Sequence, residues 1–402
     1  MSTSQSWIDR GLTHVAATYG RYPLVAASGK GCWLTDIDGK KYLDFLAGVA
    51  VNNLGHCHPD IVTALQKQAE TLLHCSNFYH IPQQIELAEL LCENSFGDRV
   101  FFCNSGAEAN EAALKLVRKY SCDNFGADRF EIIAAENSFH GRTFGTISAT
   151  NQEKIRSGFA PLLPGFKFVP FGDIESIKAA ITPQTCAVML EPIQGEGGIN
   201  VPPPGYLQAV RELCNQNNLL LVFDEVQVGL GRTGKLFAYQ HDGVEPDVMT
   251  LAKALAAGPP IGTMVVREKY AAALGPGTHG STFGGNPLLA AAGVAAMKVY
   301  LNSNVLENSV AMGDYLREKL EELRQKYSFI TQIRGRGLMI GMELSIEGGE
   351  IVKTALEQGL LINCTAGKVL RFVPPLIVTQ AEIDQMIDIL DTILAQSGTE
   401  TN

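Results

Sequence analysis

A lysine, an aspartate and a glycine-containing turn stand out first. Lys253 lies in Leu251-Ala252-Lys253-Ala254-Leu255, among apolar and small residues. Partial burial there would lower its pKa and free a neutral amine for nucleophilic or Schiff-base chemistry. A surface lysine that keeps its ammonium in water is the commoner use of the residue. Asp224 ends the apolar run Leu219-Leu220-Leu221-Val222-Phe223 and is followed by Glu225, Val226 and Gln227. A carboxylate at the carboxyl end of a buried strand is expensive to desolvate without a partner. A protonated pyridinium nitrogen is one such partner; a metal or plain water are others. Ser105-Gly106-Ala107-Glu108 follows the apolar run 100–103 and opens a helical pattern with Ala109, Ala112, Ala113, Leu116, Val117 and Tyr120 on one face. Ser105 and Glu108 have the spacing of a capping box. The N–H groups of Gly106 and Ala107 would then point at an anion from a helix N-terminus, although a capped helix with no ligand is built the same way.

Taken together, an anion cradle, a strand-end acid and a shielded lysine are the parts needed to hold a phosphorylated pyridine aldehyde. A second tier of residues sits where a substrate would be gripped. Phe139, in Phe139-His140-Gly141-Arg142-Thr143, follows the run 132–135 and has the shape to stack on a planar ring. Arg142 has the fork that grips a carboxylate. A core phenylalanine and a surface arginine are the bland alternatives. Glu196 lies in Gln194-Gly195-Glu196-Gly197-Gly198, a glycine-rich loop after the run 187–190; the bland alternative is an exposed loop acid. Arg371, in Val369-Leu370-Arg371-Phe372, is flanked by apolar residues, so a buried guanidinium there needs an acid or a bound anion. As an edge-strand residue it would keep its head in water.

These residues need a scaffold. Short apolar runs at 100–103, 132–135, 166–169, 187–190, 219–223 and 261–266 alternate with helical patterns, which indicates a mostly parallel sheet covered on both faces. Ligands of such sheets bind at the carboxyl ends of the strands. Residues 31–46 read as a hairpin about Asp38-Gly39. Beyond residue 290 the pattern is that of a smaller α+β unit: a helical stretch to about 327, then 333–344, a helix near 350–358, strands at 360–363 and 369–373, and a final helix near 380–396. The expected organisation is an N-terminal segment 1–58, a large domain 59–290 and a C-terminal small domain 291–402, with the N-terminal segment completing the small domain.

Composition agrees with a large packed core: 46% hydrophobic and 18% charged residues. The net charge of −10 and the lack of a basic run give no support to nucleic-acid binding. No apolar run approaches the length of a membrane span, and residues 1–10 lack the features of a secretory signal. Nine cysteines without a spacing framework point to reduced thiols and a cytoplasmic setting. His56, Cys57, His58, His74, Cys75 and His80 match no metal module, and no metal is expected.

The motifs Phe102-Cys103-Asn104-Ser105-Gly106-Ala107-Glu108-Ala109-Asn110-Glu111, Phe139-His140-Gly141-Arg142-Thr143, Leu190-Glu191-Pro192-Ile193-Gln194-Gly195-Glu196-Gly197-Gly198, Phe223-Asp224-Glu225-Val226-Gln227 and His279-Gly280-Ser281-Thr282-Phe283-Gly284-Gly285-Asn286-Pro287 make the chain similar to the class-III pyridoxal 5'-phosphate (PLP) aminotransferases of fold type I. The likeness runs from about residue 22 to 394. It implies that Gly106 and Ala107 bind the cofactor phosphate, that Phe139 and Val226 cover the two faces of the ring, that Asp224 pairs with the ring nitrogen, and that Gln227 approaches the ring hydroxyl. Glu225 belongs to the same cofactor-binding stretch. Lys253 would carry the cofactor as a Schiff base and move the proton. Thr282 would reach the phosphate of a neighbouring subunit in a homodimer, with Ser281 near the substrate. Arg142 would hold a substrate carboxylate, and Arg371 the α-carboxylate of glutamate, with Glu196 covering Arg371 when the other substrate is bound. The reaction implied is transfer of the δ-amino group of N2-acetyl-L-ornithine to 2-oxoglutarate, as in arginine biosynthesis. Succinylornithine, ornithine, 4-aminobutyrate and N-succinyl-diaminopimelate are close alternatives. A non-catalytic α/β protein that binds a phosphorylated ligand is the alternative of another class. Two departures from the family pattern are Ala254-Leu255-Ala256-Ala257-Gly258-Pro259-Pro260 after the lysine, where glycines are usual, and Val228 after Gln227.

Overall fold

The computed structural model describes residues 3–397. Three strands lie near the N-terminus: β1 Ala26–Lys30, β2 Trp33–Asp36 and β3 Lys41–Asp44. Seven follow in the middle of the chain: β4 Arg99–Cys103, β5 Glu131–Ala135, β6 Phe166–Val169, β7 Thr185–Leu190, β8 Leu220–Asp224, β9 Val248–Leu251 and β10 Gly262–Val266. They form one sheet in the order β4-β10-β9-β8-β7-β5-β6. Six of them run in the same direction, with β9-β8-β7-β5-β6 paired in parallel; β10 alone is reversed, antiparallel to both β9 and β4. The expected mostly parallel α/β sheet is present. Every residue of β7, β8, β9 and β10 is buried, which is why the segments of β7, β8 and β10 read as apolar runs: helices cover both faces and leave no wet side for alternation.

The C-terminal strands are β11 Ile330–Arg336, β12 Met339–Leu344, β13 Leu360–Leu361, β14 Asn363–Thr365 and β15 Val369–Phe372. The stretch expected as one element at 333–344 is a hairpin, β11 and β12, turning at Gly337 with φ +55°. The strand expected at 360–363 divides between two sheets. β13 pairs in parallel with β3 and so joins the N-terminal strands, whereas β14 pairs with β15 in the sheet β11-β12-β15-β14. The N-terminal strands and β13 thus share a sheet. In the hairpin of β2 and β3, Thr35 faces Lys41. Ile37 lies in the turn between them and is exposed. The helical stretch to 327 is two helices, Pro287–Asn302 and Val305–Lys326, the first capped by Asn286. The final helix, Gln380–Ser397, buries Ile383, Met386, Leu390, Ile393 and Leu394. No helix among the described residues is long and apolar enough to cross a membrane.

Candidate active site

The chemistry-bearing residues meet at the carboxyl ends of the central strands. A cavity of about 410 Å³ is lined there by, among others, Gly106, Ala107, Phe139, Arg142, Glu196, Asp224, Val226, Gln227 and Lys253. The helix Gly106–Phe125 starts three residues after β4 ends. Ser105 caps it with extended backbone, its hydroxyl accepting from Glu108 N at 3.2 Å. Only this half of the expected capping box forms. Glu108 reaches back one residue further, accepting from the backbone N–H of Asn104 at 2.5 Å and its side-chain amide at 2.9 Å. The first-turn N–H groups of Gly106 and Ala107, which no helical carbonyl can satisfy, border the cavity. Glycine is required at 106, because a Cβ there would sit 2.7 Å from Val226 Cγ1.

Asp224 closes β8 and is 4% exposed. Its Oδ2 accepts from Asn110 Nδ2 and pairs with His140 Nδ1, both at 2.7 Å, and its Oδ1 accepts from Val226 N at 3.0 Å. His140 is fully buried. Burial works against its charged form, but the hydrogen bond and charge of Asp224 outweigh that and raise its pKa. Glu191, also on the cavity wall, accepts from Phe139 N and Gly195 N. Burial pushes its pKa up to about 7, with Asp224 adding to the rise and His140 opposing it.

Lys253 follows β9 in a left-handed conformation, φ +41°. A non-glycine residue held at positive φ is strained, and such strain concentrates at functional positions. Its side chain faces the cavity, and no described residue forms a hydrogen bond or ion pair with its ammonium. Burial lowers its pKa to about 8, Arg371 adding to the drop and the charges of Glu196, Asp224 and Glu191 resisting it.

Arg371 is 1% exposed on β15. Its Nη1 donates to Glu196 Oε1 at 2.5 Å and to Gln227 Oε1 at 3.1 Å, and its Nε to Asn363 Oδ1 at 3.1 Å. Glu196 has its pKa lowered: burial alone would raise it, but Arg371 and then Lys253 hold it ionised. Gln227 bridges the pair, its Nε2 donating to Glu196 at 3.3 Å. Arg142 is exposed at the cavity wall, its guanidinium carbon 5.9 Å from the Phe139 ring centre.

Three expected residues lie outside the cavity. Glu225 is corrected: its carboxylate turns away and accepts from Ala238 N at 2.6 Å and Tyr239 N at 2.7 Å, and burial raises its pKa to about 8. Adjacent residues at a strand end point to opposite sides, so Asp224 and Glu225 cannot both face the ligand. Ser281 and Thr282 line a separate surface cleft with His279 and Gly280. Ser281 accepts from Asn104 Nδ2 at 3.1 Å, and Thr282 is exposed. The roles of Asn110, His140 and Glu191 had no sequence reading of their own. All three lie inside the quoted motifs, but only folding places them against Asp224 and Phe139.

The family profile Aminotransferase class-III matches residues 14–394. The chain belongs to this family and is an aminotransferase with the fold type I architecture. It is 56% identical over 380 residues to the acetylornithine aminotransferase of Caldanaerobacter subterraneus subsp. tengcongensis, covering 94% of this chain and 96% of that one. The acetylornithine aminotransferase of Elizabethkingia anophelis superposes with a TM-score of 0.89 at 33% identity, covering 98% of this chain and 100% of that one. An ornithine aminotransferase of Toxoplasma gondii, whose structure shows partial occupancy of PLP at its active site, superposes with a TM-score of 0.95 at 37% identity, covering 99% and 95%.

Proposed function

We propose that the chain transfers the δ-amino group of N2-acetyl-L-ornithine to 2-oxoglutarate, giving N-acetyl-L-glutamate 5-semialdehyde and glutamate, with PLP as cofactor. The observation that carries this reading is one cavity that joins the partner-free ammonium of Lys253, the carboxylate of Asp224 and the open N-terminus of the helix Gly106–Phe125. The donor set matches each part of the cofactor: helix N–H groups for a phosphate, a buried acid for a ring nitrogen, an amine of lowered pKa for an aldehyde. PLP, when bound, supplies the electron sink that makes the carbon beside the donor nitrogen acidic.

The chain's own residues do the rest. Gly106 and Ala107 hold the phosphate. Phe139 and Val226 confine the ring, and Gln227 meets its hydroxyl. Asp224 keeps the ring nitrogen protonated. Lys253, neutral in an appreciable fraction near pH 7, would hold the cofactor through its amine and would serve as the base and acid that moves the proton at Nζ. Arg142 orients a donor carboxylate. Arg371 receives the α-carboxylate of glutamate, and Glu196 covers it while the ω-amino donor is bound. Thr282, exposed beyond the cavity, and the half-buried Ser281 beside it serve the site of a second copy in a homodimer. The strand pairing of β3 with β13 supports a small domain drawn from 1–58 and 291–402 around a large domain 59–290. Nine free cysteines suit a reducing cytoplasm.

The test is a visible spectrum of the purified protein followed by a donor panel. A yellow band fixed by borohydride at Lys253, with kcat/KM highest for N2-acetyl-L-ornithine, supports the proposal. A protein that acquires no such band with PLP is a binding protein instead. A higher kcat/KM for succinylornithine, ornithine, 4-aminobutyrate or N-succinyl-diaminopimelate moves the donor.

A further inference from the structure

The carboxylate of Asp224 is fixed by a chain of side chains that starts on β9, the strand that leads to Lys253. Thr250 stands beside Asp224 in the register of β8 and β9. Its Oγ1 donates to Asn110 Oδ1 at 2.6 Å. Asn110 Nδ2 donates to Asp224 Oδ2 and to the His140 carbonyl oxygen, both at 2.7 Å. Thr250 is 0% exposed and Asn110 1%, so neither amide end can turn to water.

We propose that Thr250 and Asn110 are positioning residues that hold Asp224 in the one orientation that serves the cofactor's ring nitrogen. The proposal rests on the cofactor reading above. An amide has two donors at one end and an acceptor at the other. At Asn110 the nitrogen end meets two acceptors, a carboxylate and a carbonyl, while the oxygen end meets a hydroxyl. A flipped amide would set its oxygen against both acceptors. The Thr250 hydroxyl completes the preferred arrangement by satisfying a buried carbonyl that no other described residue reaches. With Asn110 and His140 both on Oδ2, Oδ1 keeps a single backbone partner, Val226 N, and spare capacity to accept. Asn110 also lies one helical turn beyond Gly106 on the same helix. The groups that hold the phosphate and the group that orients the ring-nitrogen acid therefore move together.

The experiment compares Thr250→Val, which keeps shape and loses the hydroxyl, with Thr250→Ser, which keeps the hydroxyl and loses a methyl. Three quantities are read: PLP dissociation by visible absorbance, the pH titration of the lysine-bound cofactor band, and the single-turnover rate with amino donor against donor KM. Thr250→Val is expected to lose about tenfold in single-turnover rate, the equivalent of one net hydrogen bond, to shift the band titration, and to leave donor KM nearly unchanged. Thr250→Ser is expected to follow the wild type. The reverse pattern, valine tolerated and serine damaging, means that Thr250 acts through its methyl packing and overturns the proposal. Two wild-type-like variants overturn it as well. A wild-type protein that never acquires the band defeats the cofactor reading itself, and is recognised before any variant is compared.

Discussion

On the proposed reading of the site, replacing Glu196 by alanine separates the two substrates, an ω-amino donor and glutamate, that the pocket accepts in turn. In the wild type Arg371 is 1% exposed and its guanidinium is neutralised by Glu196 at 2.5 Å. An ω-amino donor brings no carboxylate to that position, so the acid stays in place. Glutamate brings one, and Glu196 must leave. Breaking a buried ion pair by removing one partner costs about 3–5 kcal/mol. The figure is smaller here, because Gln227 Oε1 and Asn363 Oδ1 keep their hydrogen bonds to Arg371 and the Glu196 side chain is 27% exposed. About 2–3 kcal/mol is a reasonable value, a loss of about 30- to 150-fold in kcat/KM for the ω-amino donor. The glutamate half-reaction has no pair to break in the variant, so its rate holds or rises. Stopped-flow absorbance of each half-reaction reads both. Glu196→Gln, which keeps the contact with Gln227 and removes the charge, should fall on the same side with a smaller effect. Equal losses for the two substrates would refute the switch and leave Glu196 a structural residue of its loop.

Three further outcomes are expected. Asp224→Ala should slow the half-reaction with amino donor by about two orders of magnitude or more, since the ring nitrogen loses its charged partner; rates within a few-fold of wild type would remove Asp224 from that role. In cofactor-free protein, amine-directed labelling of Lys253 should rise with pH and level off above about 8. The neutral amine is the reactive form, and a lowered pKa populates it at lower pH: about a tenth is neutral at pH 7, against about 0.03% for an unperturbed lysine. A profile still climbing past pH 10 would contradict this. Co-purified Lys253→Ala and Thr282→Trp chains, each inactive alone, should regain activity as a mixed dimer, because one of its two sites draws a wild-type Lys253 and a wild-type Thr282; well-folded partners without complementation would exclude a shared site.

The sheet was legible because its central strands are buried on both faces and carry little but apolar residues, as in Thr185–Leu190 and Leu220–Asp224. The capped helix start beside the cavity was legible because a helix start has a local signature, with Ser105 at the cap and a clean apolar stripe after it. What was not legible depends on distant partners. Asn110 looked like one more polar residue in a helix, and its role exists only because β8, β9 and the chain at His140 converge on it. Arg232, fully buried, donates to the carbonyls of Leu338 and Pro374 and to Asn53. Backbone acceptors leave no trace in residue types, so nothing in the sequence marks it as a tie between the N-terminal segment and the C-terminal strands. Glu225 failed for a different reason. Proximity to Asp224 in sequence suggested proximity in the site, but the strand end sends neighbours to opposite sides, and backbone N–H groups claim its carboxylate.

The same distinction explains the unusual loop after the lysine. Ala256 and Ala257 stand where glycines are usual in the family. Ala257 sits at φ +51° and Gly258 at φ +142°. The first value lies in the left-handed region that an alanine enters at a cost of about 1–2 kcal/mol. The second lies where an L side chain is rarely tolerated. The one glycine retained is thus at the position that needs it, and Pro259 and Pro260 after it stiffen the stretch that borders the cavity with Gly258. Strain at Ala257 adds to that at Lys253 four residues earlier, φ +41°, and the surrounding burial of Ala254, Leu255 and Ala256 holds both in place. Packing, together with the one glycine, thus supplies much of the rigidity of the lysine loop in this chain.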